Sequence, residues 1–252
     1  MKIQQIWLRL AITLLTLVCL PSSPFAGQQE DTLETARLLA ILLDSGRVTV
    51  AKHQDLINAP VQGDKKFTPA MFEGELLVEF QKRTTLELKT LADANIPQMA
   101  KPLLTQLLHD SIKTIQTYQP VLSLPGMRYK GLIPATFGTE TASRFQNYSR
   151  IYLKQTAPEH LVRNPKNKPD DYEIAAFQRL AVPSSQSDKG RIISEIVDEG
   201  QSARLMLPLY YGKSCLACHG EPKGERDISG YLREGGKEGE LGGAISVKIP
   251  LK

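Results

Sequence analysis

The sequence predicts an α+β fold: a helical layer over residues 27–120, then an antiparallel sheet with flanking helices over residues 121–252, together one domain. Three observations predict it. Apolar residues recur at helical spacing through the first half. After Pro120 the composition changes, and Gly126, Gly131, Pro134 and Gly138 punctuate a turn-rich stretch. Short apolar segments then follow without regular βα alternation, which favours an antiparallel sheet.

Residues 1–26 read as a signal peptide. Lys2 and Arg9 give a positive start, and the apolar run Leu10–Leu20 is shorter than the about 20 residues that a bilayer span needs. Pro21 and Pro24 break the run, and cleavage is expected after Ala26. A retained N-terminal anchor is the rival reading. Lipidation at Cys19 is a second rival, but Leu17-Val18 are not the small residues such sites prefer. Removal of residues 1–26 takes Lys2 and Arg9 with it, so the formal net charge falls from +4 to +2. Nothing in that balance argues for nucleic acid. The rest of the chain has no apolar stretch long enough to span a membrane, so the processed protein is expected to be exported, periplasmic and not integral to a membrane. Its length suffices for a working core without a disulfide framework.

The first helix is predicted from Asp31-Thr32 to Ser45-Gly46 on the stripe Leu33, Ala36, Leu39, Ala40, Leu42 and Leu43. A second follows over Arg47–Asn58, with Val50, His53 and Ile57 on one face, and Gln62 to Lys66 read as an exposed loop. Thr68-Pro69 starts the third, a hydroxyl cap followed by proline at the first helical position. Its apolar face is Phe72, Leu76, Leu77 and Phe80. Asn95 is expected to cap a fourth, with Leu104, Leu107, Leu108, Ile112 and Ile115 inward and Pro120 as its end.

A short helix is predicted over Thr139–Asn147, then an alternating strand over Arg150–Thr156. Arg163-Asn164-Pro165-Lys166-Asn167-Lys168-Pro169-Asp170 is a polar loop, and Asp170 or Asp171 caps a helix running to Leu180. Three strands follow, Ile192–Val197, Ala203–Tyr211 and Ala244–Ile249. Between the last two, Gly220–Gly243 is a charged, glycine-rich connection.

Cys215-Leu216-Ala217-Cys218-His219 is the attachment signature of a c-type haem. Each thiol adds to one porphyrin vinyl group, the two intervening residues span the porphyrin edge, and the adjacent imidazole offers a nitrogen to the iron. A thioredoxin-like pair would open a helix after a strand in a βαβ pattern, which is absent. A structural zinc site wants four ligands, and no second cysteine pair exists among the three cysteines. Covalent haem attachment in bacteria takes place outside the inner membrane, so export and the motif support each other.

The polar loop Arg163–Asp170, the segment Cys215–Gly220, Asp227-Ile228-Ser229-Gly230-Tyr231 and Gly243-Ala244-Ile245-Ser246-Val247, in this order, resemble the Tll-type PAS-like c-haem domain family. The resemblance is firm from Phe145 onward and looser over the N-terminal helices. It implies a PAS-like antiparallel sheet and one covalent haem c. It also implies a role in redox or gas sensing, free or fused to histidine kinases and chemotaxis receptors. In part of that family a cysteine from the N-terminal helices is the second axial ligand. This chain has no cysteine between Ala26 and Cys215.

His53 is therefore the expected second axial ligand, beside His219, with His109 behind it. Met71, Met99, Met127 and Met206 read as packing residues and His160 as exposed. Arg163 and Lys166 either pair with haem propionates or lie in a solvated loop. Tyr210 and Tyr211 either stack on the ring or cover it. The expected function is a periplasmic monohaem sensor working through a redox partner or a separate signalling partner. The alternative is a simple electron-transfer cytochrome. No acid–base pair near the motif points to an enzyme.

Overall fold

The computed structural model describes residues 24–61, 66–181 and 191–251, and side chains from Gly27 onward. Residues 1–23 of the predicted signal peptide, Cys19 among them, and most of the loop from Gln62 to Lys66 lie outside the described residues.

The stripe that begins at Leu33 does not stop at Gly46. It continues as one helix, α1 (Pro24–Lys52), and a four-residue helix, α2 (Gln54–Ile57), follows a break at His53. The predicted boundary failed because Gly46 is a packing glycine. A Cβ there would lie 2.5 Å from two ring atoms of Phe137 and 3.2 Å from Leu76 Cδ1. Helix α3 (Pro69–Thr84) starts as predicted, with Thr68 Oγ1 accepting from Met71 N, and buries Phe72, Leu76 and Phe80. Helix α4 (Ala100–Leu122) begins five residues after Asn95. Ile96 precedes Pro97, and the proline ring disfavours helical backbone in the residue before it. Pro120 does not end α4, because in the last turn a missing N–H forfeits one bond only. Helix α5 (Pro134–Ser149) is longer than predicted, with Pro134 in its first turn and Arg150 left-handed just past its end.

Four strands form one antiparallel sheet: β1 (Tyr152–Thr156), β2 (Ile193–Val197), β3 (Ser202–Tyr210) and β4 (Leu241–Pro250), in the order β1-β4-β3-β2. Leu153 and Leu205 both lie opposite Val247. Successive side chains point to opposite faces. One face presents Leu153, Leu205, Leu207, Ile245, Val247 and Ile249 to the helices, and one apolar cluster runs through both layers from Ala36 to Ile249. The other face is covered by α6 (Asp171–Ala181), where Ala176 and Phe177 meet Ile193, Met206 and Ala244. The predicted α+β, PAS-like arrangement of sheet, flanking helices and helical layer is present. Among the described residues no helix is long and apolar enough to cross a membrane.

Beside the apolar patch under α6 the same face of the sheet carries a buried polar network. Arg204 is 5% exposed and stacks on the rings of Tyr152 and Tyr172 at 5.5 and 4.2 Å. Its Nη1 and Nη2 each reach Asp170 Oδ2 at 3.1 Å. Glu173, fully buried, accepts from Tyr152 Oη and Lys154 Nζ at 2.9 Å each. Asp170 and Glu173 also cap each other's backbone N–H, a capping box at the start of α6.

Candidate cofactor site

Strand β3 runs directly into the motif. Beyond Tyr211, a 3-10 turn (Lys213–Cys215) continues into the one-turn helix α7 (Leu216–His219). Cys215 and Cys218, three positions apart on this stretch, fall on one side of it. Both thiols are free and half-buried. Burial pushes the Cys218 thiol above its ordinary value. Gly220 ends the turn, where a Cβ would lie 2.7 Å from the Leu216 carbonyl oxygen.

His219 is held on two sides. The Tyr211 ring stacks on it at 4.9 Å and 21°. Tyr211 in turn sits between Gly236 and Gly242, whose Cβ atoms, if present, would fall 2.7 and 2.4 Å from its ring. Burial raises the Tyr211 hydroxyl to about 12. Glu234 Oε2 lies 3.0 Å from His219 Nδ1. Burial opposes ionisation of Glu234, but the bonds from Arg163 and the adjacent His219 outweigh it and hold the carboxyl below its ordinary range. An ionised carboxylate accepts, so Nδ1 carries the proton and donates, and Nε2 keeps its lone pair. Burial, with the Arg163 charge, holds the imidazole below its ordinary value and therefore neutral.

Arg163 organises the surrounding loops. Its Nε and Nη2 grip Glu234 at 2.8 and 2.9 Å, its Nη1 reaches Asp227 at 2.6 Å, and Nη2 also donates to the Cys218 carbonyl at 2.9 Å. Asp227 Oδ1 closes its own turn by accepting from Ser229 N, Ser229 Oγ and Tyr231 N. Of the two readings of Arg163, the solvated loop does not hold: the side chain is 18% exposed and donates to two carboxylates and to the Cys218 and Leu232 carbonyls. Lys166 stands exposed in the same loop. The loop is a strap. Arg163 anchors one end and Asp170 the other, and between them Asn167 is buried, with Oδ1 accepting from Thr139 at 2.9 Å.

His53 lies at the break after α1. Its Nε2 is 2.7 Å from Glu75 Oε2, and its ring packs 5.5 Å from Phe67. The structure therefore gives this imidazole a protein partner at Nε2. His109 is exposed beside Asp110, and His160 is exposed. Met206 is buried beneath α6, Met71 packs on the main core, and Met99 and Met127 are exposed. Sequence reasoning missed Glu234 and Tyr129, and gave Asp227 no role beyond its place in a motif. Tyr129 bonds to Ser229, and burial, with the nearby Asp227 charge, raises its hydroxyl above its ordinary value. A cavity of about 630 Å³ lies elsewhere, between the start of α1 and strands β2 and β3, lined by Glu34, Arg37, Ile196 and Leu205 among others.

The donor set fits a covalently held haem. Two free thiols share one side of a helical turn, and the next residue is a neutral imidazole with Nδ1 bonded and Nε2 available. Among the described residues no cluster of three or more His, Cys, Asp or Glu forms an alternative metal site.

No curated protein matches this chain. A crystal structure described as that of the cyanobacterial heme-protein Tll0287 shares 20% identity, covering 62% of this chain and 97% of its own, with a TM-score of 0.42. The family model described as Tll0287-like matches residues 28–250. The chain belongs to the Tll0287-like family.

Proposed function

We propose that the chain is a haem c protein of the periplasm, with one haem held by Cys215 and Cys218 and bound through His219, acting as a redox- or gas-responsive module. The observation that carries this reading is the placement of both thiols and a neutral imidazole on one helical segment, with Nδ1 bonded inward and Nε2 left as the metal-binding nitrogen. Family membership supports it, since Tll0287, from which the family takes its description, is a heme-protein. Attachment needs no outside oxidant: each S–H adds across one vinyl C=C, forming a C–S and a C–H bond.

When bound, haem supplies a one-electron couple and, where its second axial position is open, a site for a diatomic gas. The chain's residues do the rest. Tyr211 and Glu234 fix the imidazole, and Arg163 binds the loops on either side of Cys218. Two connections favour a responsive module over an inert carrier. The attachment segment leads straight off β3, and the strap joins it to Arg204 in the same strand. Movement at the iron would strain both. The output partner is a redox protein or a separate signalling protein, and no enzymatic turnover is proposed.

The test is to produce the chain in a host able to attach haem c, then record its mass and its oxidised and reduced spectra. The expected result is a mass greater by one haem and a c-type reduced spectrum. A colourless protein of bare polypeptide mass overturns the reading. Fast electron exchange with small cytochromes, and a reduced spectrum unmoved by carbon monoxide, would favour the plain electron carrier.

A further inference from the structure

We propose that Glu234 is the positioning residue of the haem ligand, holding His219 with its Nδ1 proton toward the protein and Nε2 toward the iron, while Arg163 limits the electron density that this carboxylate passes to the ring. The inference rests on the haem reading above.

Three observations carry it. Glu234 Oε2 is 3.0 Å from Nδ1, within hydrogen-bond range. The other polar neighbour of Nδ1, Tyr211 Oη, is at 3.4 Å and is the weaker partner. Tyr211 stacks flat against the imidazole and is itself wedged between Gly236 and Gly242, so the ring plane is set independently of the hydrogen bond. Finally, the oxygen that faces His219 is the one Arg163 Nη2 holds at 2.9 Å, while Arg163 Nε takes Oε1 at 2.8 Å.

A carboxylate on the outer nitrogen fixes the tautomer and makes the imidazole a stronger donor, which favours the oxidised metal. A guanidinium gripping that carboxylate draws its charge away and reduces the effect. Carboxylate and guanidinium thus act on the iron in opposite directions.

Two experiments on the full processed chain test this. In the haem-free Cys215→Ser, Cys218→Ser protein at alkaline pH, ¹⁵N shifts should report the Nδ1–H tautomer of His219, and adding Glu234→Gln should move the ring toward Nε2–H. In the haem-loaded protein, Glu234→Gln should shift the reduction potential positive and Arg163→Lys, which loses the bidentate grip, should shift it negative. An unchanged tautomer or an unchanged potential in Glu234→Gln overturns the proposal, and an unchanged potential in Arg163→Lys overturns the part given to Arg163. If Glu234→Gln does not fold, Glu234→Asp keeps the charge and shortens the reach. It should shift tautomer and potential the same way by less, and no shift overturns the proposal. A wild-type chain that never takes up haem defeats the haem reading alone, and the haem-free measurement still judges Glu234.

Discussion

The packed helical side of the sheet and the strap around the attachment segment are held by different physics. On the helical side, α1 and α5 press aliphatic and aromatic side chains onto Leu153, Leu205, Leu207, Ile245 and Val247. That contact is non-directional and proportional to apolar area. On the other side, and around the attachment segment, the strap is held by Arg163 and Arg204, each gripping paired carboxylates. Contacts of that kind are directional and fail when one partner is lost. The difference teaches where specificity is needed. Packing holds the body together, but a thiol pair and an imidazole need fixed orientation, and oriented charges supply it.

The largest expected effect comes from removing the hub. Arg163→Ala leaves Asp227, whose side chain has no exposed surface, without its cation. Breaking a buried pair in this way costs about 3–5 kcal/mol. Hydrogen exchange should show the loss concentrated over residues 213–240, with amides of α1 protected as before. Uniform loss across both regions would break the comparison.

A smaller effect is expected on the packed side. Gly46→Ala drives a methyl into the Phe137 ring, and overpacking of this kind costs about 1–3 kcal/mol. The Cβ also falls within 3.2 Å of Leu76, so three elements must shift together. Denaturant unfolding should report a lower midpoint, and Phe137→Leu in the same chain should recover part of it. A sum of two independent losses would show that the clash is relieved elsewhere.

Acid should separate the two regions by the order in which they loosen. Burial would raise the Asp227 and Glu195 carboxyls, but Ser229 and Arg163 at the first, and Arg179 and Tyr172 at the second, hold them below their ordinary values of 3.8 and 4.5. A group whose folded value is depressed stabilises fully above its unfolded value and loses that contribution as pH falls through the folded one. The strap side should therefore loosen below about pH 4, in the range of unperturbed carboxylates. Amide exchange in α1 and α3, which pack mainly through apolar side chains, should change later. Simultaneous loss would mean that the body itself depends on the carboxylates.

The same contrast decides what the sequence could reveal. The stripe Ala36, Leu39, Leu42 and Leu43, the cap Thr68 and the alternating strands were legible because each is written within a few residues. The Cys-x-x-Cys-His motif is local in the same way. Gly46 misled because a glycine that ends a helix and one that admits a neighbouring ring look alike along the chain. Arg163 was left undecided for a related reason. Its partners Asp227 and Glu234 lie 64 and 71 positions away, and no periodicity links them.

The smallest expected effect concerns His53. The sequence placed this imidazole on an apolar face and made it the second iron ligand. In the fold its Nε2 is bonded to Glu75 at 2.7 Å, and the Glu75 side chain is 41% exposed. A polar contact with a carboxylate that open to water is worth about 0–1 kcal/mol. His53→Ala should therefore lower stability by no more than that and leave the haem spectrum as in the wild type, in both oxidation states. If the low-spin bands instead give way to high-spin ones, His53 leaves Glu75 when haem binds. The helical layer would then supply a ligand as well as a core, and the division between a packed body and a charge-held site would end at the break after α1.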